Sequence, residues 1–149
     1  MQNTDSVGAL LRDKAPAIHS IHHTATVLEA IKLMADRNIG ALPVMEGERL
    51  IGLFSERDYT RKVVLMGRTS RDTQVGAIMT REPVTVGPAE TVNECMELMT
   101  EHRVRHLPVV EDGRLLGILS IGDLVKWIIS AQTATIEHLT RYVFGEQVS

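Results

Sequence analysis

The feature that most constrains this chain is an internal duplication, in which residues 26–58 recur at residues 91–123. When the two segments are aligned without a gap, 14 of the 33 positions are identical. An identity of this extent indicates that one structural unit occurs twice. A unit of about 50 residues buries too little surface to be stable comfortably on its own. We therefore expect the two copies to fold against each other.

Each copy predicts the same order of elements: an extended segment, a helix, two strands joined by a polar turn, and a second helix. Apolar residues at helical spacing, such as Val27, Ala30, Ile31 and Met34, indicate the first helix. The extended segment, the two strands and the start of the second helix are predicted at 18–21, 42–45, 50–55 and Asp58 in the first copy, and at 83–86, 107–110, 115–120 and Asp123 in the second.

Both first helices begin with the pattern Thr-x-x-Glu, at Thr26/Glu29 and at Thr91/Glu94. In such a capping box, the threonine hydroxyl and the glutamate carboxylate satisfy backbone N–H groups that the helix leaves unpaired. The pattern therefore predicts where each helix begins.

These elements predict an α+β fold in which two β-α-β-β-α repeats, related by a pseudo-twofold axis, pack sheet to sheet. We predict a first repeat at 8–66, a connector at 67–77, a second repeat at 78–132, and a C-terminal helix and tail at 133–149. The tail places apolar side chains on one helical stripe, which could pack on the body of the protein or on a partner: Ile136, Leu139, Val143 and Phe144.

Composition argues against several classes of protein. A net charge of -3 and an aromatic content of 3% do not suit a nucleic-acid partner. No apolar run approaches the roughly 18 residues that span a membrane, and the N-terminus does not resemble a signal peptide. We therefore expect a cytoplasmic protein. His19, His22 and His23 have no cysteine or acidic partner at ligand spacing, so no metal is expected.

Two segments at equivalent positions resemble the CBS domain family. These are Gly52-Leu-Phe-Ser55-Glu-Arg-Asp58 and Gly117-Ile-Leu-Ser120-Ile-Gly-Asp123, each preceded by a Leu-Pro-Val strand, at 42–44 and at 107–109. The run Ile78-Met79-Thr80 followed by Pro83-Val84-Thr85-Val86 resembles the start of a CBS repeat. The resemblance covers about residues 8–130 and is closest to stand-alone bacterial pairs.

The resemblance implies a disc-like module with two clefts that bind AMP, ATP, NAD or S-adenosylmethionine, a homodimer of such modules, and signalling to a separate, unidentified effector protein. It implies that Asp58 and Asp123 accept hydrogen bonds from a ribose, beside Ser55 and Ser120. The remaining positions that it suggests for nucleotide binding are Ser20, Ile21, Gly40, Ala41 and Arg57 from the first copy, and Thr85, Val86, Arg105, His106, Ile121 and Gly122 from the second.

Each of these assignments has a plainer structural alternative. Ser-x-x-Asp is also a capping-box variant, Ile21 and Val86 suit core packing, and Arg57 and Arg105 suit an exposed surface. Since the second copy supplies the cations that suit phosphate, we expect the better cleft to form around Asp123. No catalytic motif is recognisable, so an enzyme is not expected. The competing functions are a nucleotide sensor and a ligand-free dimerisation or scaffolding module.

Overall fold

The computed structural model describes residues 4–14 and 18–143, without the side chain of Tyr142. Phe144 and the rest of the predicted tail lie outside the described residues. The elements in chain order are α1 (Val7–Lys14), β1 (Ile21–His22), α2 (Val27–Arg37), β2 (Ala41–Glu46), β3 (Arg49–Ser55), α3 (Glu56–Asp58), a π-helical stretch (Tyr59–Val64), α4 (Val75–Ile78), β4 (Thr80–Arg81), α5 (Val92–His102), β5 (His106–Glu111), β6 (Arg114–Ser120) and α6 (Ile121–Val143).

The duplicated elements form where the sequence predicts them. The four strands of the two hairpins agree to within about a residue, but β1 begins only at Ile21, later than predicted. The capping box at Thr91 is confirmed, since Thr91 and Glu94 bond each other's backbone N–H groups. At Thr26 the structure shows the first of the two bonds, from the Glu29 N–H to the Thr26 hydroxyl (3.1 Å).

The two sheets repeat the same register. In the first sheet, of order β1-β2-β3-β4, Ile21 pairs in parallel with Val44. In the second, β5 and β6 pair as a hairpin, and Val86 makes a single parallel bridge to Val109, which is the same pairing at the equivalent positions of the second copy. The sheets meet through β3 and β6, as expected for repeats packed sheet to sheet.

The second helix of the repeat differs most between the copies. After β3, three residues of α3 pass into the π-helical stretch, which ends shortly before Gly67 at φ +70°. After β6, α6 continues as an α-helix of 23 residues. Gly67 adopts a left-handed conformation that ends a helix readily, whereas the described part of α6 beyond Gly122 contains no glycine or proline.

The hydrophobic residues form two cores, one in each repeat. Each core also includes a short segment that precedes the other repeat in the chain. Val7, Leu10 and Leu11 of α1 are buried in the core of the second repeat, together with α5, β5 and β6. Val75, near the end of the predicted connector, and Ile78 and Met79, which follow it, are buried in the core of the first.

Backbone hydrogen bonds hold these crossing segments in place. The N–H of Val7 donates to the carbonyl of Glu90 (2.8 Å), and the N–H of Val92 donates to the carbonyl of Asp5 (2.9 Å). In the first repeat, the Val27 N–H donates in a similar way to the Thr73 carbonyl (2.8 Å). The domain boundaries predicted from the sequence stay a prediction. They assign α1 to the first repeat, whereas α1 packs in the core of the second.

Candidate functional site

The two Ser-x-x-Asp segments form reciprocal caps at the strand-to-helix junctions. The Ser55 N–H donates to Asp58 Oδ2 (3.0 Å), and the Asp58 N–H donates to Ser55 Oγ (3.2 Å). Ser120 and Asp123 make the equivalent bonds, at 2.8 and 3.1 Å. The capping alternative is therefore confirmed at both junctions, and it holds each carboxylate at a defined place beside its strand.

Each junction also makes a backbone hydrogen bond to the residue just before the first hairpin strand of its repeat, β2 or β5. The Glu56 N–H donates to the Gly40 carbonyl (3.1 Å), and the Ile121 N–H donates to the Arg105 carbonyl (2.8 Å). Since the N–H groups at N1 and N3 of both helices are used in this way, each helix start has few N–H groups left for a phosphate.

Asp58 is buried, with 6% of its surface exposed, and both of its carboxylate oxygens have donors. Oδ2 accepts a second bond from the Ser55 hydroxyl (3.0 Å), and Oδ1 accepts one from the Thr80 hydroxyl (3.0 Å). The ammonium of Lys62 lies 2.9 Å from Oδ1. The carboxylate is thus held in place by groups from the first repeat and from β4.

Asp123 is more exposed and is paired with the N-terminal helix. Lys14 Nζ lies 2.8 Å from Asp123 Oδ2 and also donates to the Ile118 carbonyl (2.9 Å). Burial alone would raise the pKa of Asp123, but the hydrogen bonds from Lys14 and Ser120 and the positive charge of Lys14 hold that pKa below its usual value.

A cleft of about 540 Å³ lies beside Asp58 and is lined by both repeats. It contains six of the residues proposed from the sequence: Gly40, Ser55, Arg57, Asp58, Arg105 and His106. The other lining residues are Leu53, Glu56, Thr80, Glu82, Pro83, Val84, His102 and Val104. Arg57 reaches across to the second repeat and donates to the Arg103 carbonyl (2.9 Å).

The cleft brings Gly40 of the first copy next to His106 of the second. A Cβ atom at Gly40 would lie 3.0 Å from Glu56 Oε1 and 3.3 Å from the His106 ring. The absence of a side chain therefore leaves room between the repeats at this point. Gly40 lies in the first copy and His106 in the second, so the sequence could not show that they are neighbours.

The sequence did not predict the cleft residues that lie beside β3 in space but far from it in the chain. Thr80, Glu82, Pro83 and Val84 join the cleft because β4 pairs antiparallel with β3, with Leu53 opposite Thr80. The run 78–86 resembles the start of a CBS repeat, and this resemblance was the one sign in the sequence that these residues matter. Its contribution to the cleft of the preceding copy depends on the pairing.

The other nine predicted positions lie outside this cleft. Ala41 and Val86 are buried, and Ile21 packs against the first core, which agrees with the core alternative for Ile21 and Val86. Ser20 and Thr85 are exposed. Ser120, Ile121, Gly122 and Asp123 form the start of α6. Asp123 lines a second concavity of about 630 Å³ between α1 and α6. The Asp58 cleft therefore contains more of the predicted residues than the concavity at Asp123, whereas the sequence favoured a cleft around Asp123.

The charges in the Asp58 cleft are nearly balanced. Three carboxylates, Glu56, Asp58 and Glu82, face two guanidinium groups, Arg57 and Arg105. Burial lowers the pKa of His106, and the positive charges of Lys14 and Arg105 lower it further, against the opposing effect of the Asp123 carboxylate. At neutral pH, His106 therefore adds no full positive charge to the cleft.

The lowered pKa of His106 predicts a loss of stability on acidification. The unfolded chain takes up a proton on this imidazole at higher pH than the folded chain does, so stability falls as the pH drops below the ordinary imidazole pKa of about 6.5. The slope from one such group is at most about 1.4 kcal/mol per pH unit. Urea unfolding of the wild type and His106→Gln should show a shallower acid loss in the variant. Equal pH slopes would contradict this prediction.

Comparison with known families decides the assignment of the fold. The family model described as the CBS domain matches residues 9–65 and 75–130, which together are most of the chain. The chain belongs to the CBS domain family. It contains two CBS domains and is therefore a CBS pair, which is a regulatory module. The resemblance inferred from the Leu-Pro-Val and Ser-x-x-Asp segments is confirmed.

Relatives of this CBS pair occur in bacteria and plants. A protein with CBS domains from Burkholderia ambifaria has 48% identity and a TM-score of 0.81, with 85% of this chain and 96% of that chain covered. The mitochondrial CBSX3 of Arabidopsis thaliana is 42% identical over 125 residues, which are 80% of this chain and 61% of that protein. YhcV of Bacillus subtilis is 32% identical over 117 residues, or 78% of this chain and 83% of YhcV.

A more distant structure shows the same fold with ligands. The CBS pair of the protein MJ0100 has 24% identity and a TM-score of 0.76, and covers 86% of this chain and 98% of its own. It was solved in complex with 5′-methylthioadenosine and S-adenosyl-L-methionine. Within the part of this chain that the structure describes, no helix combines the length and apolar character needed to cross a membrane.

Proposed function

We propose that this CBS pair binds an adenosine-containing nucleotide in the cleft beside Asp58 and transmits its occupancy to a separate effector protein. The observation that carries the proposal is a buried carboxylate, Asp58, that lines a cleft formed by both repeats. A ligand bound there would contact residues of both repeats, so that binding could change how the repeats sit against each other.

Asp58 suits a ribose because a carboxylate accepts hydrogen bonds from both vicinal hydroxyls, and charge-assisted bonds are the stronger ones. The Thr80 hydroxyl and the Lys62 ammonium now occupy Oδ1, and both are side-chain donors that can rotate away. A deoxyribose offers one hydroxyl fewer at this place. The cleft should therefore distinguish ribonucleotides from 2′-deoxyribonucleotides.

The rest of the lining suits a base and a short phosphate chain. Four apolar residues offer surfaces against which an adenine could pack: Leu53, Pro83, Val84 and Val104. Arg57 and Arg105 are the cations available to a phosphate. Because three carboxylates accompany them, a ligand with little negative charge should bind better than ATP. AMP and NAD carry less negative charge than ATP, so we favour these two over ATP.

The equivalent position at Asp123 is proposed as a weaker second site. Lys14 occupies its carboxylate and would have to leave before a ribose could bind. The cytoplasmic location and the existence of a separate effector protein stay predictions from the sequence.

Ligand titration tests the proposal directly. AMP, ATP, NAD, S-adenosylmethionine and 2′-deoxy-AMP would be titrated by calorimetry and by thermal unfolding. We expect AMP and NAD to bind better than ATP, AMP to give a stabilisation of about 2.7 kcal/mol at 100 times its dissociation constant, and 2′-deoxy-AMP to bind more weakly than AMP. Asp58→Asn should abolish most of the AMP shift, whereas Asp123→Asn, the matched control at the equivalent position of the second copy, should retain it.

Two outcomes would count against this function. Absence of heat and of any melting shift with all five compounds at millimolar concentration would leave the ligand-free scaffolding module as the better account. A shift that Asp58→Asn retains and Asp123→Asn loses would move the site to the second junction.

A further inference from the structure

The C-terminal half of α6 extends away from the body of the protein. Each side chain that the structure describes from Gln132 to Val143 is exposed, on all faces of the helix. At 1.5 Å per residue, these 12 residues extend roughly 18 Å. They include weak helix formers such as Thr133, Thr135 and Thr140, and a short helix without tertiary contacts is marginal in water. The segment therefore requires a partner to be stably helical.

An apolar stripe runs along the free face of α6. It consists of Val125, Ile129, Ile136, Leu139 and Val143, which are 41%, 56%, 64%, 56% and 74% exposed. With Gln132 included, the spacing is 4-3-4-3-4, which is the a/d pattern of a coiled coil. A solvent-exposed surface helix that packs only on its own body lacks such a second stripe.

This stripe is distinct from the face that holds α6 to the body. Leu124 is fully buried in the second core, and Ile121, Trp127 and Ile128 pack against it. Because successive helical residues are about 100° apart, the stripe through Ile129 is turned to the side of that face. A second helix can therefore reach it without displacing the core contacts.

We propose that the stripe pairs with α6 of a second copy of this chain, as a parallel, in-register coiled coil. In that arrangement the two Gln132 amides face each other, and each can donate to and accept from the other. An antiparallel pair would place Gln132 against Ile136 of the other copy, leaving the amide without a partner in an apolar layer.

The charges on α6 suit pairing of identical helices. The positions that flank the stripe between 128 and 140 are Ile128, Thr133, Thr135 and Thr140, all uncharged. Glu137 and Arg141 fall on the outer positions of the heptad, away from the seam. Two identical copies thus meet without like charges along this part of the seam, and the interface is the same patch on both, as twofold symmetry requires.

The seam is short, so the dimer should depend on concentration. Light scattering and sedimentation of the full chain, over about a hundredfold range of concentration, should show a dimer that dissociates on dilution. Ile136→Lys with Leu139→Lys should give a monomer. Ala134→Lys with His138→Lys, on the outer face, adds the same charge and should remain dimeric. All four residues are exposed, so circular dichroism and melting of the body should change little.

Cross-linking tests the orientation. The wild type contains Cys95 alone, and it is buried, so it provides a clean background. Leu139→Cys should form a disulfide-linked dimer on oxidation, because a parallel seam brings the two positions together. In an antiparallel pair the two 139 positions would lie about 15 Å apart along the axis, beyond the reach of a disulfide.

Three results would overturn the proposal. A monomer at all concentrations would assign the stripe to another partner, such as the effector. A dimer that the two lysines on the stripe do not weaken would place the contact on the body. A dimer in which Leu139→Cys fails to cross-link but pairs with Ile129→Cys of another copy would be antiparallel. Nucleotide binding does not enter any of these measurements.

Discussion

Leu10→Ala is expected to lower the free energy of unfolding by about 2–5 kcal/mol, the range for truncating a buried leucine. Leu10 is 3% exposed and lies in the core of the second repeat, although it precedes the first repeat in the chain. We therefore expect the second repeat, rather than the nearby first one, to lose its stability.

Amide hydrogen exchange would show which repeat is affected. In Leu10→Ala, protection should fall more in β5 and β6 (106–120) than in β2 and β3 (41–55). Val75→Ala is the matched control, because Val75 occupies the position equivalent to Leu10 ahead of the second copy and is fully buried in the core of the first repeat. It should produce the opposite pattern. If both variants weakened the repeat nearest in sequence, the crossing of α1 and α4 would be wrong.

Asp58→Ala is expected to cost about 2–4 kcal/mol of stability. The change removes the acceptor for the N–H and hydroxyl of the half-buried Ser55 and for the hydroxyl of the exposed Thr80, and each hydrogen bond lost costs about 1 kcal/mol. Lys62 is 44% exposed in its side chain and can return to water, so it adds little to the loss. The helix cap at the junction is lost as well.

The comparison with Asp123→Ala isolates the effect of burial. Asp123 makes the same cap, but its side chain is 24% exposed, and its partner Lys14 is 34% exposed. We expect a cost of about 1 kcal/mol there, since solvent can replace the lost partners. Urea unfolding of both variants would measure the difference. Equal costs would indicate that the Thr80 hydrogen bond and the burial of Asp58 contribute nothing to stability.

The local structure of this chain was predictable because it depends on neighbouring residues. The 3.6-residue spacing in α2 and α5, the Thr-x-x-Glu start of α5 and the polar turns of both hairpins all act over a few positions. Their predictions are confirmed. The length of the second helix was not predictable from the repeat. In the first copy the helix ends shortly before Gly67, whereas α6 continues beyond Gly122 through residues that include no glycine or proline.

The candidate site was predictable only in its parts. The resemblance to the CBS family suggested Ser55, Asp58, Arg57, Gly40, Arg105 and His106, and the structure brings these six residues into one cleft. The expected preference for Asp123 rested on counting cations within one copy. It did not include the contact of Lys14 with Asp123, since 109 residues separate the two in sequence.

The duplication by itself determined that this protein contains two similar α+β units, each with a Ser-x-x-Asp segment that begins at the end of its second hairpin strand. Periodicity and capping are short-range properties, and the sequence displays them directly. The tertiary structure decided which segments complete each core and which carboxylate faces a cleft between the repeats. Those outcomes depend on how buried apolar surfaces from distant parts of the chain fit together, and two copies with the same pattern leave that choice open.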